Sequence, residues 1–337
     1  MPVRACILGC AALSLAPEER AFFAKTQPFG LILFKRNVDN PAQVIELIRS
    51  FRAAVGRNDA PVLIDQEGGR VQRLGPPHWP AFPPAAHFGE MYARDPATGV
   101  AAAHLGGQLI AAELSALGIN VDCLPVADLR LAEGHGVIGD RAYGPDPETV
   151  SRLGRAAAEG LLEGGVLPVV KHMPGHGRAR ADTHFELPVV DTPLAELERT
   201  DFAAFRLLAE LPIGMTAHVV YAAIDAKRPA TVSPAVIDEV IRGRIGFDGL
   251  LLTDDLSMRA LSGTLGARAR AAFAAGCDIA LHCNGKLPEM EEVAGASPPL
   301  QGAAERRANA ALSCLNSRPK SVDVAEARAR FSAMIAA

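Results

Sequence analysis

The 337-residue sequence lacks both long hydrophobic runs and clusters of basic residues. No uninterrupted apolar run approaches the ~18 residues that a membrane helix needs, so we expect no membrane partner. The formal net charge is -4 and Lys and Arg are not concentrated anywhere, which argues against nucleic acid as a partner. Hydrophobic residues make up 49% of the chain, enough for the core of a soluble globular protein.

No CxxC pair occurs among the cysteines, which are Cys6, Cys10, Cys123, Cys277, Cys283 and Cys314. Most of them lie in apolar segments, so the sequence predicts free, buried thiols in a reducing cytoplasm rather than disulfides or a zinc site. The segment before Cys10 resembles a lipoprotein cleavage site, but its apolar run of about five residues is shorter than the ~7–15 of a signal peptide. Residues 3–9 are therefore interpreted as a first buried strand.

Strand-like apolar segments alternate with segments of helical periodicity. The predicted strands are residues 3–9, 30–34, 61–65, 119–124, 166–170, 213–218, 249–253 and 278–282. The predicted helices begin at Pro17 and Pro41 or cover residues 97–117, 147–162, 193–208, 234–241, 265–275, 303–315 and 322–336. This alternation predicts an α/β fold, a (β/α)8 TIM barrel with additional C-terminal helices. Because the sequence has no linker and no internal repeat, we expect one domain over residues 1–337.

A doubly wound open sheet is the alternative fold, but it normally has fewer strands, and no GxGxxG follows the first strand here. Two loops of the predicted barrel exceed the usual length of a connection. Residues 75–95 contain PPHWPAFPP, whose prolines predict a fixed, non-helical rim or lid, and residues 133–147 contain Arg141. Loops after the third and fourth strands lie on the C-terminal face of a barrel, where active sites are found.

Polar side chains follow nearly every predicted strand, so a barrel would bring them together at one mouth. They lie at positions 35–37, 65–67, 128, 171–172, 218, 254–255, 282 and 284. The fifth strand leads into the segment KHMPGHGRARADTH, which carries Lys171, several histidines and Asp182. Asp254 directly follows a buried apolar run, a position that favours a functional carboxylate, and Asp255 is expected to cap the next helix. Asp182 and His184 share a face of an extended loop, where a carboxylate makes an imidazole a usable proton shuttle.

Two other functions are compatible with this ring of polar residues. His172, His176, His184 and His218 could hold a metal with a late-strand Asp, as in a metal-dependent barrel hydrolase. The first strand, however, does not carry the HxH that such barrels use. A ligand-binding barrel without chemistry is the second alternative, and the combination of acid, base and histidine argues against it.

Several blocks of the sequence resemble glycoside hydrolase family 3. The blocks are KHMPGHG followed by DTH, LLTDDLSM, GLILFKRN, LIDQEGGRVQRL and VIGDRAYGPDP, and they occur in the order of the family. Within that family the chain is most similar to the single-domain bacterial β-N-acetylhexosaminidases (β-N-acetylglucosaminidases) of peptidoglycan recycling. The resemblance implies a cytoplasmic, monomeric enzyme that acts on a small carbohydrate substrate, needs no metal or cofactor, and contributes to cell-wall biogenesis, cell shape and division.

The resemblance also implies roles for individual residues. Asp254 would be the nucleophile of a retaining mechanism, His184 the general acid/base and Asp182 its partner. The sugar contacts that the resemblance implies are Asp65, Arg73, Arg141, Lys171 and His172. Arg73 and Arg141 could alternatively form salt bridges at the barrel mouth. A glycosidase with another sugar preference, or a phosphorolytic variant using the same histidine, is also compatible with these motifs.

The sequence departs from the family pattern after the KHMPGHG block, where Arg178 and Arg180 occur in place of acidic or small polar residues. We expect this positive charge to favour an anionic aglycone, such as a muramic acid derivative. The glycines around the loop also suggest that the Asp182–His184 pair reaches the substrate through loop closure.

Overall fold

Eight parallel strands close into a barrel in the computed structural model, which describes residues 2–132, 134, 136–183, 186–316 and 323–336. The barrel strands, labelled β1 to β8, are Arg4–Leu8, Pro28–Leu33, Val62–Ile64, Val121–Asp122, Leu167–Met173, Ile213–Thr216, Leu250–Asp255 and Ile279–His282. Each strand pairs with its neighbour in sequence, and β1 closes the ring by pairing with β8 in the register Cys6 to Ala280. The predicted (β/α)8 fold is confirmed.

The barrel strands are buried on both faces, which explains why they occur as continuous apolar runs rather than alternating ones. Ile7, Leu63, Val169 and Leu252 belong to a cluster that fills the barrel interior. Side chains of the opposite alternation, such as Leu8, join the larger cluster that packs against the surrounding helices. Because the interior is packed with side chains, the barrel is closed below its C-terminal mouth.

Helices surround the barrel. In chain order α1 to α11 are Pro17–Thr26, Pro41–Val55, Ala85–Arg94, Pro96–Leu117, Pro147–Glu163, Leu194–Arg199, Asp201–Arg206, Leu265–Ala275, Leu287–Ala296, Gly302–Ser313 and Val324–Ala336. The predicted helix at 234–241 is a π-helix, Val236–Arg244. Prolines begin α1, α2, α4 and α5, where a missing N–H costs no hydrogen bond. Gly118 ends α4 with φ of 87°, as its predicted capping role requires.

Two shorter strand pairs lie outside the barrel. Gln66–Gly68 and Val71–Gln72 form an antiparallel hairpin directly after β3. Val189–Val190 and Val220–Tyr221 form a parallel pair that connects the segments after β5 and β6.

The loop prediction for residues 75–95 is wrong in its second half. The proline-rich stretch is not helical, as expected, but α3 begins directly after Pro84. Its apolar residues Ala85, Phe88 and Met91 are buried, and the Phe88 ring lies 6.2 Å from that of Phe331 in α11. The prolines predicted a non-helical segment, but packing against the distant helix α11 favours helix α3 in its second half. Helix α9 was not predicted either.

The predicted helix at 193–208 is broken into α6 and α7 at Thr200. Thr200 has φ of -116° and ψ of -91°, which is not helical. Its Oγ1 atom lies 2.8 Å from both the Glu196 carbonyl oxygen and the Asp201 carboxylate. Hydroxyl bonding to a nearby backbone carbonyl competes with regular helix geometry and accounts for the break.

Among the residues that the structure describes, one helix, α4, is long and apolar enough to cross a membrane by length and composition. Its alanine, leucine, isoleucine and valine residues raise its mean hydropathy although polar residues interrupt it. Of its most apolar window, 56% is buried inside the structure, as in the core helix of a globular fold. At the N-terminus, β1 confirms the strand interpretation of residues 3–9, and all six cysteines are free, with Cys314 half-buried and the rest buried.

Candidate active site

A cavity of about 330 Å³ opens at the C-terminal ends of the barrel strands. Its floor includes Ile32, Met215, Leu281 and Cys283, which continue the packed interior of the barrel. The predicted site residues that the structure describes all line it: Asp65, Arg73, Arg141, Lys171, His172, Asp182 and Asp254. His184 lies outside the described residues.

Asp254 is the penultimate residue of β7 and is half-buried at the cavity wall. Its Oδ1 accepts the backbone N–H of Asp255 over 2.7 Å. Burial raises the pKa of this carboxyl, but His172, His218, the Asp255 N–H and Lys171 together hold the pKa below its ordinary value. Asp254 is therefore an anion at neutral pH, the state in which a carboxylate can attack carbon or stabilise positive charge.

Lys171 lies at the centre of a buried network of charges. Its Nζ is 2.9 Å from Asp65 and 2.7 Å from Glu67, and Arg73 bonds the other oxygen of Asp65 over 2.8 Å. Burial opposes the charges of Lys171 and Asp65, but Asp65 and Glu67 raise the pKa of Lys171, while Lys171 and Arg73 lower that of Asp65. All remain charged because each buried ion has a partner of opposite sign.

Arg141 reaches the same network from the loop after β4. Its Nε and Nη2 atoms each donate to Glu67 over 2.8 Å, a two-point ion pair. Arg73 and Arg141 therefore form salt bridges at the barrel mouth and also line the cavity. Sequence reasoning placed Glu67 at the mouth but gave it no role. The sequence could have indicated that Glu67 lies beside Asp65, because residues two apart in an extended segment point to the same face.

The segment after β5 begins with two histidines held by Asp128. The Asp128 carboxylate lies 2.6 Å from His172 Nδ1 and accepts the backbone N–H of His176 over 2.6 Å. Gly175, between them, has φ of 136°, and a Cβ there would lie 2.9 Å from Cβ of Asp201. Only glycine fits that turn without strain. The turn leads on to Asp182 and Thr183 at the cavity wall.

The comparisons with known proteins agree with this geometry. Residues 8–311 match the N-terminal domain of glycosyl hydrolase family 3. The chain belongs to glycoside hydrolase family 3. The family that the motifs indicated is thereby confirmed, and the protein is a glycoside hydrolase.

Relatives of this chain include proteins named β-hexosaminidase. The protein from Bordetella avium is 42% identical over 261 residues, which cover 76% of this chain and 73% of the relative. The protein from Chromobacterium violaceum is 40% identical over 298 residues, 86% of this chain and 82% of the relative.

Two solved structures are similar to this one over nearly the whole chain. NagZ from Neisseria gonorrhoeae in complex with N-trifluoroacetyl-D-glucosamine has a TM-score of 0.86 at 31% identity, covering 100% of this chain and 99% of that one. A β-N-acetylglucosaminidase from Paenibacillus sp. has a TM-score of 0.84 at 30% identity, covering 98% of this chain and 67% of that one.

His218, another histidine of this family 3 barrel, has protein partners for both ring nitrogens. His218 is fully buried, with its ring nitrogens 2.7 Å from Thr231 Oγ1 and 3.0 Å from the Asp255 carbonyl oxygen. Burial lowers the pKa of His218, so it is neutral at neutral pH. Within the described part of the chain, no three His, Cys, Asp or Glu residues are arranged to hold a metal ion.

Two residue roles expected from the sequence are wrong. Asp255 does not cap a helix, because its carboxylate accepts the N–H groups of Ser257 and Cys283 in a turn, and Thr264 caps α8. Arg178 does not present its charge to the cavity. Its guanidinium forms ion pairs with Asp201 over 2.7 Å and with Glu196 over 3.0 Å.

Proposed function

We propose that this chain is a retaining exo-β-N-acetylglucosaminidase that uses Asp254 as its nucleophile. The observation that carries the proposal is an anionic Asp254 in a cavity that is closed by the packed barrel interior. A volume of about 330 Å³ is at the lower end of the ~300–1,000 Å³ of small-molecule sites. A closed cavity of that size accommodates the terminal sugar of a chain rather than an internal one.

In the proposed reaction, Asp254 attacks the anomeric carbon from one side of the sugar ring. The bond to the leaving oxygen breaks as that oxygen receives a proton, which leaves the sugar joined to Asp254 as an ester. Water then attacks the anomeric carbon, loses its proton to the same acid/base, and releases Asp254. The resemblance to family 3 assigns the acid/base role to His184, with Asp182, which lines the cavity, as its partner.

The ionic network provides hydrogen-bonding groups for the rest of the sugar. Asp65 can accept from hydroxyl groups, whereas Lys171, Arg73 and Arg141 can donate to hydroxyl or carbonyl oxygens. These groups are held by mutual ion pairs before substrate arrives, so little side-chain freedom has to be lost on binding. His172 adds a ring nitrogen at the same wall.

The preference for an N-acetyl sugar is supported by the relatives. The curated proteins are named β-hexosaminidases, and the NagZ structure holds an N-acylated glucosamine. We propose GlcNAc-1,6-anhydroMurNAc fragments as the natural substrate, released in the cytoplasm during cell-wall recycling. This part of the proposal rests on the family resemblance.

The test is hydrolysis of the 4-nitrophenyl β-glycosides of N-acetylglucosamine and glucose by the wild type and by Asp254→Ala. We expect a strong preference for the N-acetyl sugar and a loss of about 10,000-fold or more in the variant. The control is Asp278→Asn, which removes a buried carboxylate bound to Arg242 and Arg307 at the other end of the barrel.

The possible outcomes separate the parts of the proposal. Activity on the glucoside alone would retain the family and overturn the N-acetyl preference. Acceleration by added phosphate, with a sugar phosphate as product, would indicate phosphorolysis instead of hydrolysis. Full activity in Asp254→Ala would remove the nucleophile assignment.

A further inference from the structure

We propose that Asp128 is a positioning residue for the glycosidase reaction, which fixes the tautomer and orientation of His172. Asp128 does not line the cavity, and no motif of the sequence assigned it a function beyond its place in the ring of polar residues. Its contacts nevertheless connect the segment after β4 to residues 172–176, which precede Asp182 in the segment after β5.

The backbone explains how Asp128 reaches His172. Beyond β4 the chain continues alongside β5, with the Ala127 N–H donating to the Lys171 carbonyl oxygen over 2.8 Å and the Lys171 N–H donating to Pro125 over 3.1 Å. Asp128 is the next residue and is 1% exposed. Its carboxylate is therefore shielded from solvent and lies within hydrogen-bonding distance of His172 and His176.

The Asp128 carboxylate is within hydrogen-bonding distance of three nitrogen donors. Oδ2 lies 2.6 Å from His172 Nδ1, and Oδ1 accepts the backbone N–H groups of His172 over 3.2 Å and of His176 over 2.6 Å. Burial raises the pKa of Asp128, but the two histidines and these hydrogen bonds hold it below its ordinary value. An ionised carboxylate can only accept, so Nδ1 of His172 must carry a proton.

The consequence concerns the other ring nitrogen. With Nδ1 bound to Asp128, Nε2 is the atom of His172 that is available to a sugar in the cavity. In neutral His172 this atom is an acceptor for a sugar hydroxyl, and without Asp128 the tautomer could reverse and present an N–H instead. The same carboxylate fixes the His176 backbone, so the ring and the start of the loop have one common support.

The first measurement is the 15N NMR spectrum of histidine-labelled wild-type protein at mildly alkaline pH, with His172 assigned by its loss in His172→Gln. We expect a proton on Nδ1 of His172, and a shift to Nε2 in Asp128→Asn, whose amide can donate to Nδ1. The matched control is Asp201→Asn, which removes a similarly buried carboxylate below the same loop but leaves His172 untouched. An unprotonated Nδ1 in the wild type would overturn the proposal, even if Asp128→Asn fails to fold.

The second measurement is a double-mutant cycle on kcat/KM with 4-nitrophenyl N-acetyl-β-glucosaminide. Asp128→Asn should lower kcat/KM by about 10- to 100-fold in the wild-type background, the range for one hydrogen bond involving a charged group. In the His172→Gln background the loss should shrink to within about twofold, because the residue through which Asp128 acts is gone. Equal losses in both backgrounds would show a merely structural role. This kinetic arm rests on the proposed function, whereas the spectrum decides the tautomer even if the substrate is not cleaved.

Discussion

Glu67 and Arg141 form a two-point ion pair at the cavity wall, with both N–O distances at 2.8 Å. Glu67 belongs to the hairpin after β3, and Arg141 to the loop after β4, so the pair joins two segments that are 74 residues apart. Both side chains are largely buried, with 3% and 13% exposure. The orientation of Arg141 toward the cavity therefore depends on a carboxylate that itself does not line it.

Glu67→Gln should weaken substrate binding more than it slows the chemical step. The amide can no longer neutralise both Arg141 and Lys171, so we expect a raised KM and a loss of about 3 kcal/mol in unfolding free energy. Steady-state kinetics and urea denaturation measure the two effects. The control is Glu148→Gln, whose exposed pair with Arg152 should contribute about 0.5 kcal/mol or less. An unchanged KM in Glu67→Gln would show that Arg141 needs no such support.

His184→Ala should damage the cleavage of poor leaving groups far more than that of aryl glycosides. A general acid contributes about 100- to 10,000-fold where the leaving oxygen must be protonated, but little where the leaving group is already a good one. The measurement compares a GlcNAc disaccharide with the 4-nitrophenyl glycoside. Equal losses on both substrates would contradict the acid/base assignment.

The barrel was predictable because each of its strands is buried on both faces and therefore occurs as a compact apolar run. The strand ends then gave the positions of Asp65, Lys171, His172 and Asp254 without any tertiary information, since parallel strands in a barrel all end at one mouth. That argument extends to Glu67 by the alternation of an extended segment. It does not supply the catalytic roles, which come from the family resemblance and stay predictions.

What the sequence did not reveal depends on contacts between distant segments. Arg178 looked like a free charge on a loop, and its partner Asp201 lies at the start of a helix that no local signal connects to it. Likewise, no local signal connects Asp128 to its partner His172, which lies 44 residues later in the chain. Helix α3 follows a proline-rich stretch and is stabilised by packing of Phe88 near Phe331. Local patterns predict elements, but side-chain pairing across elements requires the fold.

Arg178→Ala should destabilise the protein and leave aglycone preference unchanged. Removing the guanidinium leaves the Asp201 carboxylate, 1% exposed, without its cation, which costs about 3–5 kcal/mol for a buried pair. Arg180→Ala, at an exposed position, should change the unfolding free energy by about 0.5 kcal/mol at most. Urea denaturation measures both. A selective rise in KM for an anionic aglycone in Arg178→Ala, with normal stability, would instead restore the role expected from the sequence.

His176 should make the protein less stable as the pH falls from about 6.5 to about 4. Burial lowers the pKa of this ring to about 4 in the folded state, from 6.5 when it is free. Between those values the unfolded chain binds a proton that the folded chain does not, so the unfolding free energy decreases as the pH is lowered. The full difference corresponds to roughly 3 kcal/mol.

Replacing His176 with Asn removes this titration and should flatten the pH dependence of unfolding in that window. The comparison is urea denaturation of wild type and variant across the range, because His218 and His282 have lowered pKa values and remain in both proteins. His78→Asn is the control, since its exposed ring changes surroundings little on unfolding. If the unfolding free energies of wild type and His176→Asn had the same pH dependence, the pKa of His176 would be the same in the folded and unfolded states. That result would contradict the prediction that burial lowers this pKa.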